Sequence, residues 1–104
     1  MKLLEHMTDE ELSEVFAVEV AGWVRVKYGF GWACDPDPST YPAPHPFATD
    51  VLSMLSWLDL RGRWECNFNG QQHWVRVKGW AIGKGQTFAR AACIALIESK
   101  RLNG

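Results

Sequence analysis

Asn69-Gly70 is the tightest constraint in this chain. It lies between two stretches that alternate in polarity, Arg63-Trp64-Glu65-Cys66-Asn67-Phe68 before it and Gln71 to about Trp80 after it. Asn-Gly supplies the positive φ angles that a two-residue type I′ hairpin turn requires. Such a turn sets the register, so Phe68 is expected to face Gln71, Cys66 to face His73 and Trp64 to face Val75. These residues share a face with Val77, and that face reads as core. The other face carries Arg63, Glu65, Asn67, Gln72, Trp74, Arg76 and Lys78. On it Glu65 pairs with Trp74 and Arg63 lies beside Arg76, an arrangement that repels unless an anion or a carboxylate joins the two.

Three helices flank the hairpin. Thr8-Asp9-Glu10-Glu11 reads as a capping box, with Met7 and Leu12 placed for a hydrophobic staple. Leu12, Val15, Phe16, Val20 and Trp23 then lie on one helical face, and Gly22 reads as a stop or a close-packing point. A second helix starts near Thr49-Asp50 with Thr49 as N-cap. Its apolar stripe is Val51, Met54, Leu55 and Leu58, and it ends before Gly62. A third runs from about Thr87 to Arg101 and buries Phe88, Ala91, Ala92, Ala95, Leu96 and Leu102; its alanines allow close approach to a sheet. Residues 24–33 read as a short irregular strand weakened by Gly29 and Gly31. All five prolines fall within residues 35–46, which read as a stiff extended surface loop.

At 104 residues, with 47% hydrophobic and 22% charged content and a formal charge of −1, the chain reads as one ordinary globular domain, 1–104. Disorder and a highly basic nucleic-acid coat are excluded. No apolar run approaches the ~18 residues of a membrane span, and Met1-Lys2-Leu3-Leu4-Glu5-His6, soon followed by acids, does not read as a signal peptide. Charge is uneven: residues 1–60 hold three basic and ten acidic residues (−7), residues 61–104 eight and two (+6). The favoured reading is that the halves attract each other in the fold. Cys34, Cys66 and Cys93 are odd in number and form no Cys-x-x-Cys pair, which points to free thiols in a reducing cytoplasm.

Phe88-Ala89-Arg90-Ala91-Ala92-Cys93-Ile94-Ala95-Leu96-Ile97-Glu98 resembles the closing helix of the phage ABA sandwich domain family. Gly22-Trp23 at the end of the first helix, and Phe47-Ala48-Thr49-Asp50-Val51 at the entry to the second, resemble that family's corresponding motifs. The order helix, loop, helix, hairpin, helix agrees across nearly the whole chain. Gly83-Lys84-Gly85 departs from the pattern, where more acidic or small polar residues are expected, and the proline loop is particular to this chain. The resemblance implies a small phage or prophage protein in a bacterial cytoplasm. It implies no settled activity and carries over no catalytic residues.

Four kinds of chemistry can be weighed on the residues. Gly79-Trp80-Ala81-Ile82-Gly83-Lys84-Gly85-Gln86 reads as a glycine-rich loop before a helix, where exposed amides and the helix dipole attract phosphate. Gly83, Lys84, Gly85, Thr87 and Arg90 are the candidate phosphate or nucleotide site; the alternative is a plain strand-to-helix turn, and the spacing is not that of a Walker A loop. Six tryptophans stand in the sequence. Trp74 and Trp80 fall with Arg63, Arg76 and Lys78 on one hairpin face, suited to base stacking with phosphate contact or to a protein interface, unless a helix covers it. Cys66 with His73, and Cys34, His45 and Cys93, match no zinc spacing, so no metal or cofactor is expected. Cys34 with His45, or Cys66 with His73, could be drawn as a thiol–imidazole pair, but no local signature activates the thiol, and no enzyme is expected.

The expected fold is α/β, a compact sandwich of about three helices on a small, mainly antiparallel sheet with a central β-hairpin. The expected function is a small non-enzymatic phage or prophage binding protein that blocks or sequesters a host component, either a defence protein or a nucleotide signal, with a homo-oligomer among the options. A nucleic-acid-binding accessory using the basic aromatic hairpin face, or a structural phage accessory, stands as the alternative.

Overall fold

The computed structural model describes residues 2–25, 32–34, 37–41, 43–77 and 81–103. Three helices, α1 (Asp9–Glu19), α2 (Val51–Arg61) and α3 (Phe88–Asn103), combine with two three-stranded antiparallel sheets. The first sheet has the order β1 (Val24–Arg25), β2 (Trp32–Cys34), β3 (Asp37–Tyr41). The second has the order β4 (Trp64–Phe68), β5 (His73–Val77), β6 (Ala81–Gly85). The mixed α/β sandwich expected from the sequence is the fold observed.

Helix α1 begins where its capping box forms. Thr8 Oγ1 accepts from the Glu11 amide at 3.1 Å, and Glu11 accepts from the Thr8 amide at 3.0 Å. Lys2 adds an ion pair to Glu11 at 3.0 Å. Leu12, Phe16 and Ala17 are buried, and the chain turns at Gly22 with φ +78°. For α2 the cap lies one residue later than expected. Asp50, not Thr49, accepts from the Ser53 amide, while Thr49 closes a 3-10 turn over Phe47–Thr49. Met54 and Leu58 are buried, but Val51 is exposed. The proline segment is not all loop: Asp37–Tyr41 forms the edge strand β3, where Pro38 is tolerated because an edge strand leaves amides unpaired.

In the hairpin the register differs from the expected one by two residues. Trp64 faces Val77, Cys66 faces Val75 and Phe68 faces His73. The Asn69 amide donates to the Gln72 carbonyl at 3.2 Å, so the turn is centred on Gly70-Gln71. Gly70, at φ +94°, then holds the first central position, as glycine does in type II′ turns. Asn69 Oδ1 accepts from the amides of Gln71 and Gln72, at 3.0 and 2.8 Å, and so stays just before the turn. A shift of two keeps every side chain on its expected face but changes its partner, and that face is core only along β5: Val75 and Val77 are buried, whereas Cys66 and Phe68 on β4 are exposed. Glu65 therefore opposes Arg76 and forms an ion pair with it, so Arg76 is not opposed to Arg63 as expected.

Residues 81–85, expected within a glycine-rich loop, form the third strand of this sheet. His73 pairs with Gly85, Trp74 with Lys84, Val75 with Gly83 and Arg76 with Ile82. Ala81, Gly83 and Gly85 face inward and are buried, whereas Ile82 and Lys84 face outward and are exposed. Helix α3 lies on this inner face. It is buried on every side from Ala91 to Ile97, because α1, α2 and the Phe47–Thr49 turn cover its other flank. Leu102, expected in the core, lies past this cover and is 64% exposed. Phe16 packs on Phe47 (centroids 4.6 Å apart) and edge-on against Trp57 (5.5 Å). The Ala48 amide donates to buried Ser13 Oγ at 3.0 Å.

Two outcomes follow. A β-carbon at residue 83 would lie 2.1 Å from the Ala91 carbonyl oxygen and 2.4 Å from the Ala95 amide nitrogen; at residue 85 its nearest neighbours would be 3.1 Å away on the Arg90 side chain and 3.2 Å away at the Ala91 amide nitrogen. Gly83→Ala is thus expected to cost at least about 1–3 kcal/mol or to prevent folding, and Gly85→Ala much less, measured by urea denaturation. The Glu11 carboxyl is held below its ordinary 4.5, chiefly by the Thr8 amide and then by Lys2. A carboxyl whose pKa is lowered by folding stabilises above the unfolded value and loses that contribution as pH falls through the folded one. Glu11→Gln should therefore flatten the acid limb of a stability profile taken from about pH 7 to about pH 3, with little change in its slope above about pH 5.

Candidate functional site

All three helices lie on one side of the β4-β5-β6 sheet, so its other side is open among the described residues. The strand alternation places six side chains there, in two cross-strand rows: Glu65, Arg76 and Ile82 in one, Asn67, Trp74 and Lys84 in the other. Trp74 is half-buried, Ile82 is 45% exposed and Lys84 is exposed. Arg76 is anchored by its ion pair to Glu65. Lys84 has no ion pair among the described residues. Trp74, Arg76, Ile82 and Lys84, with Asn69, Gln72 and His73 at the turn end, line a shallow cleft of about 410 Å³.

Of the hairpin face expected from the sequence, Trp74 and Arg76 are thus brought together in the open. Arg63 is exposed just before β4, and Lys78 and Trp80 lie outside the described residues. Ile82, which local reading did not single out, joins Trp74 and Arg76, and Lys84, expected in the glycine-loop phosphate site, lies on this face instead. The alternation of residues 81–85 between small and large side chains was the available signal, masked by the glycines' usual association with loops.

The phosphate cradle expected from Gly83, Lys84, Gly85, Thr87 and Arg90 is not assembled. Gly83 and Gly85 are closed off by α3, and Lys84 points to the opposite side of the sheet. Thr87 caps α3, its Oγ1 accepting from the Arg90 amide at 3.2 Å. The Arg90 side chain, only 16% exposed, donates to Asp9 at 2.8 Å, to the Glu5 carbonyl at 3.2 Å and to the Met7 carbonyl. This arginine clamps α3 to the N-terminal segment.

Cys66 and His73, expected to face each other, are not cross-strand partners, and the Cys34 side chain of the other pair lies outside the described residues. Cys66 faces Val75, while His73 faces Phe68 with ring centroids 4.6 Å apart. Burial pushes the Cys93 thiol up to about 12, so it is a neutral core group whose sulfur donates to the Leu12 carbonyl at 3.9 Å. His45 Nε2 lies 2.6 Å from Asp50 Oδ2, and the Ser53 amide, then His45, hold the Asp50 carboxyl below its ordinary 3.8. A second cleft of about 570 Å³, unforeseen in the sequence, opens beside this pair, lined by Trp23, Ala43, Pro44, His45, Pro46, Phe47 and Ser53. Among the described residues no three His, Cys, Asp or Glu side chains converge as metal ligands, and no helix is long and apolar enough to cross a membrane.

No protein-family model, curated protein or solved structure matches this chain.

The clamp assigned to Arg90 has a measurable consequence. Arg90→Ala leaves the Glu5 and Met7 carbonyls and Asp9 without their donor and should destabilise the protein by about 1–3 kcal/mol in urea unfolding. An unchanged midpoint would place Arg90 outside the framework and return it to the pool of free cations.

Proposed function

We propose that this is a small non-catalytic binding protein that docks a host component on the open face of the β4-β5-β6 sheet and thereby blocks or sequesters it. The observation that carries the reading is the grouping of partly exposed Trp74 and Arg76 with exposed Ile82 and Lys84 on a sheet face with no helix over it among the described residues. Tryptophan and arginine concentrate binding energy where they are held rigidly and can be desolvated by a partner. Arg76 is held by Glu65, and Trp74 stands on the middle strand between Asn67 and Lys84. The likeness to the phage ABA sandwich family supplies the setting, a bacterial host in which the component is a defence protein or a nucleotide signal. A nucleotide version of the reading draws on Trp74 and Lys84, without Arg90, which Asp9 engages.

The test is affinity purification from the host cell with a matched double variant, Trp74→Ala/Lys84→Glu. The variant should melt at the parent temperature yet recover at least about tenfold less of the bound component, a loss of ~1.4 kcal/mol. Equal recovery by the two proteins would remove this face from the interaction.

A further inference from the structure

We infer that the open sheet face takes a short single-stranded segment of nucleic acid, with one base on Trp74 and a neighbouring phosphate on Lys84. The inference rests on the docking reading above and names the chemistry of the docked group.

Three properties of the face point that way. Its charge is the first. Among the described residues Glu65 is its one carboxylate and is occupied by Arg76, so the uncompensated charge there is positive and includes Lys84. Lys84 is the direct cross-strand neighbour of Trp74, about 5 Å away at the backbone. An anion drawn to the ammonium is therefore delivered beside an indole. A nucleotide carries that pairing of a flat π-system and a phosphate within one unit, and base–aromatic stacking tolerates any base.

The second property is the polar rim. Asn67 flanks Trp74 on the side away from Lys84, and Asn69 and Gln72 close the cleft at the turn. Carboxamides offer a donor and an acceptor side by side, the pattern that base edges present. A protein partner would instead be expected to meet an apolar centre, and Ile82 is the one exposed aliphatic side chain among the six outer-face residues.

Shape is the third. The face is a sheet surface with a shallow cleft of about 410 Å³, and α3 packs on the opposite side of the sheet. Duplex DNA is read by elements that enter its groove, whereas unstacked bases lie on a sheet. The area suits one or two nucleotides and predicts weak binding.

Fluorescence anisotropy decides the matter, using end-labelled oligothymidylate and oligouridylate of about eight nucleotides with the same strands in duplex form as the comparison. The parent should bind the single strands with a Kd of roughly 10–100 μM at low salt and the duplexes more weakly. The slope of log K against log salt should be about −0.7 for each phosphate engaged, and Lys84→Ala should remove about one such increment. Trp74→Ala should weaken binding about tenfold, with Trp74→Phe restoring much of it. Absence of binding at millimolar protein, or binding indifferent to Trp74, would overturn the inference. A poly-glutamate peptide bound with the same Trp74 and Lys84 dependence, in place of the oligonucleotides, would overturn it too and assign the face to an acidic protein. In either case partner recovery that still depends on Trp74 and Lys84 keeps the docking reading; recovery indifferent to them removes both.

Discussion

The backbone of α3 occupies the space in which a β-carbon of residue 83 would stand. That contact dictates much of the rest. A strand can come so close to a helix only where it presents no side chain, so β6 alternates Ala81, Gly83 and Gly85 inward with Ile82 and Lys84 outward. Glycine weakens a strand in isolation; here packing against the helix offsets the loss. The helix in turn presents Ala91 and Ala95 to the glycines, and its run from Ala91 to Ile97 is buried on all sides. Such a helix cannot stand at a surface. It needs α1, α2 and the Phe47–Thr49 turn over its far flank, and this places every helix on one side of the sheet. The open outer face is the complement of that arrangement.

The uneven charge of the chain serves the same packing. Arg90 with Asp9, and Arg101 with Glu19 at 2.7 Å, join the basic second half to the acidic first half across the α1–α3 boundary. The Arg101 guanidinium holds the Glu19 carboxyl below its ordinary range. Exposed ion pairs contribute little individually, but Arg90 is mostly enclosed and also satisfies two carbonyls of the N-terminal segment. Basic residues that look like a ligand site along the sequence are thereby divided. Those on α3 hold the fold together, and those on β5 and β6 face outward.

Local signals were legible wherever the determining atoms lie close in sequence. The Thr8–Glu11 capping box, the breaks at Gly22 and Gly62, and the assignment of hairpin residues to inner and outer faces all belong to this group. The hairpin partners were not legible, because Asn69-Gly70 suits more than one turn. The choice fell to the Asn69 side chain, which takes the amides of Gln71 and Gln72 and moves the turn centre on by one residue. The extent of the outer face was hidden for a similar reason. Glycine at 83 and 85 marks a loop, a phosphate cradle or a close packing contact, and nothing nearby in the chain distinguishes them.

The three helices, the β4–β5 hairpin and their order are written in the sequence, since helical and strand periodicity and the capping residues act over a few positions. The sequence also determined that acids and bases would be sorted into opposite halves. Packing between distant parts of the chain makes residues 81–85 a strand under a helix, makes Arg90 a clamp on the N-terminal segment, and gathers Trp74, Arg76, Ile82 and Lys84 on one outward face. Those outcomes depend on how α3 seats against β6 and against the N-terminal segment, through contacts whose consequence is fixed only when distant parts of the chain pack together.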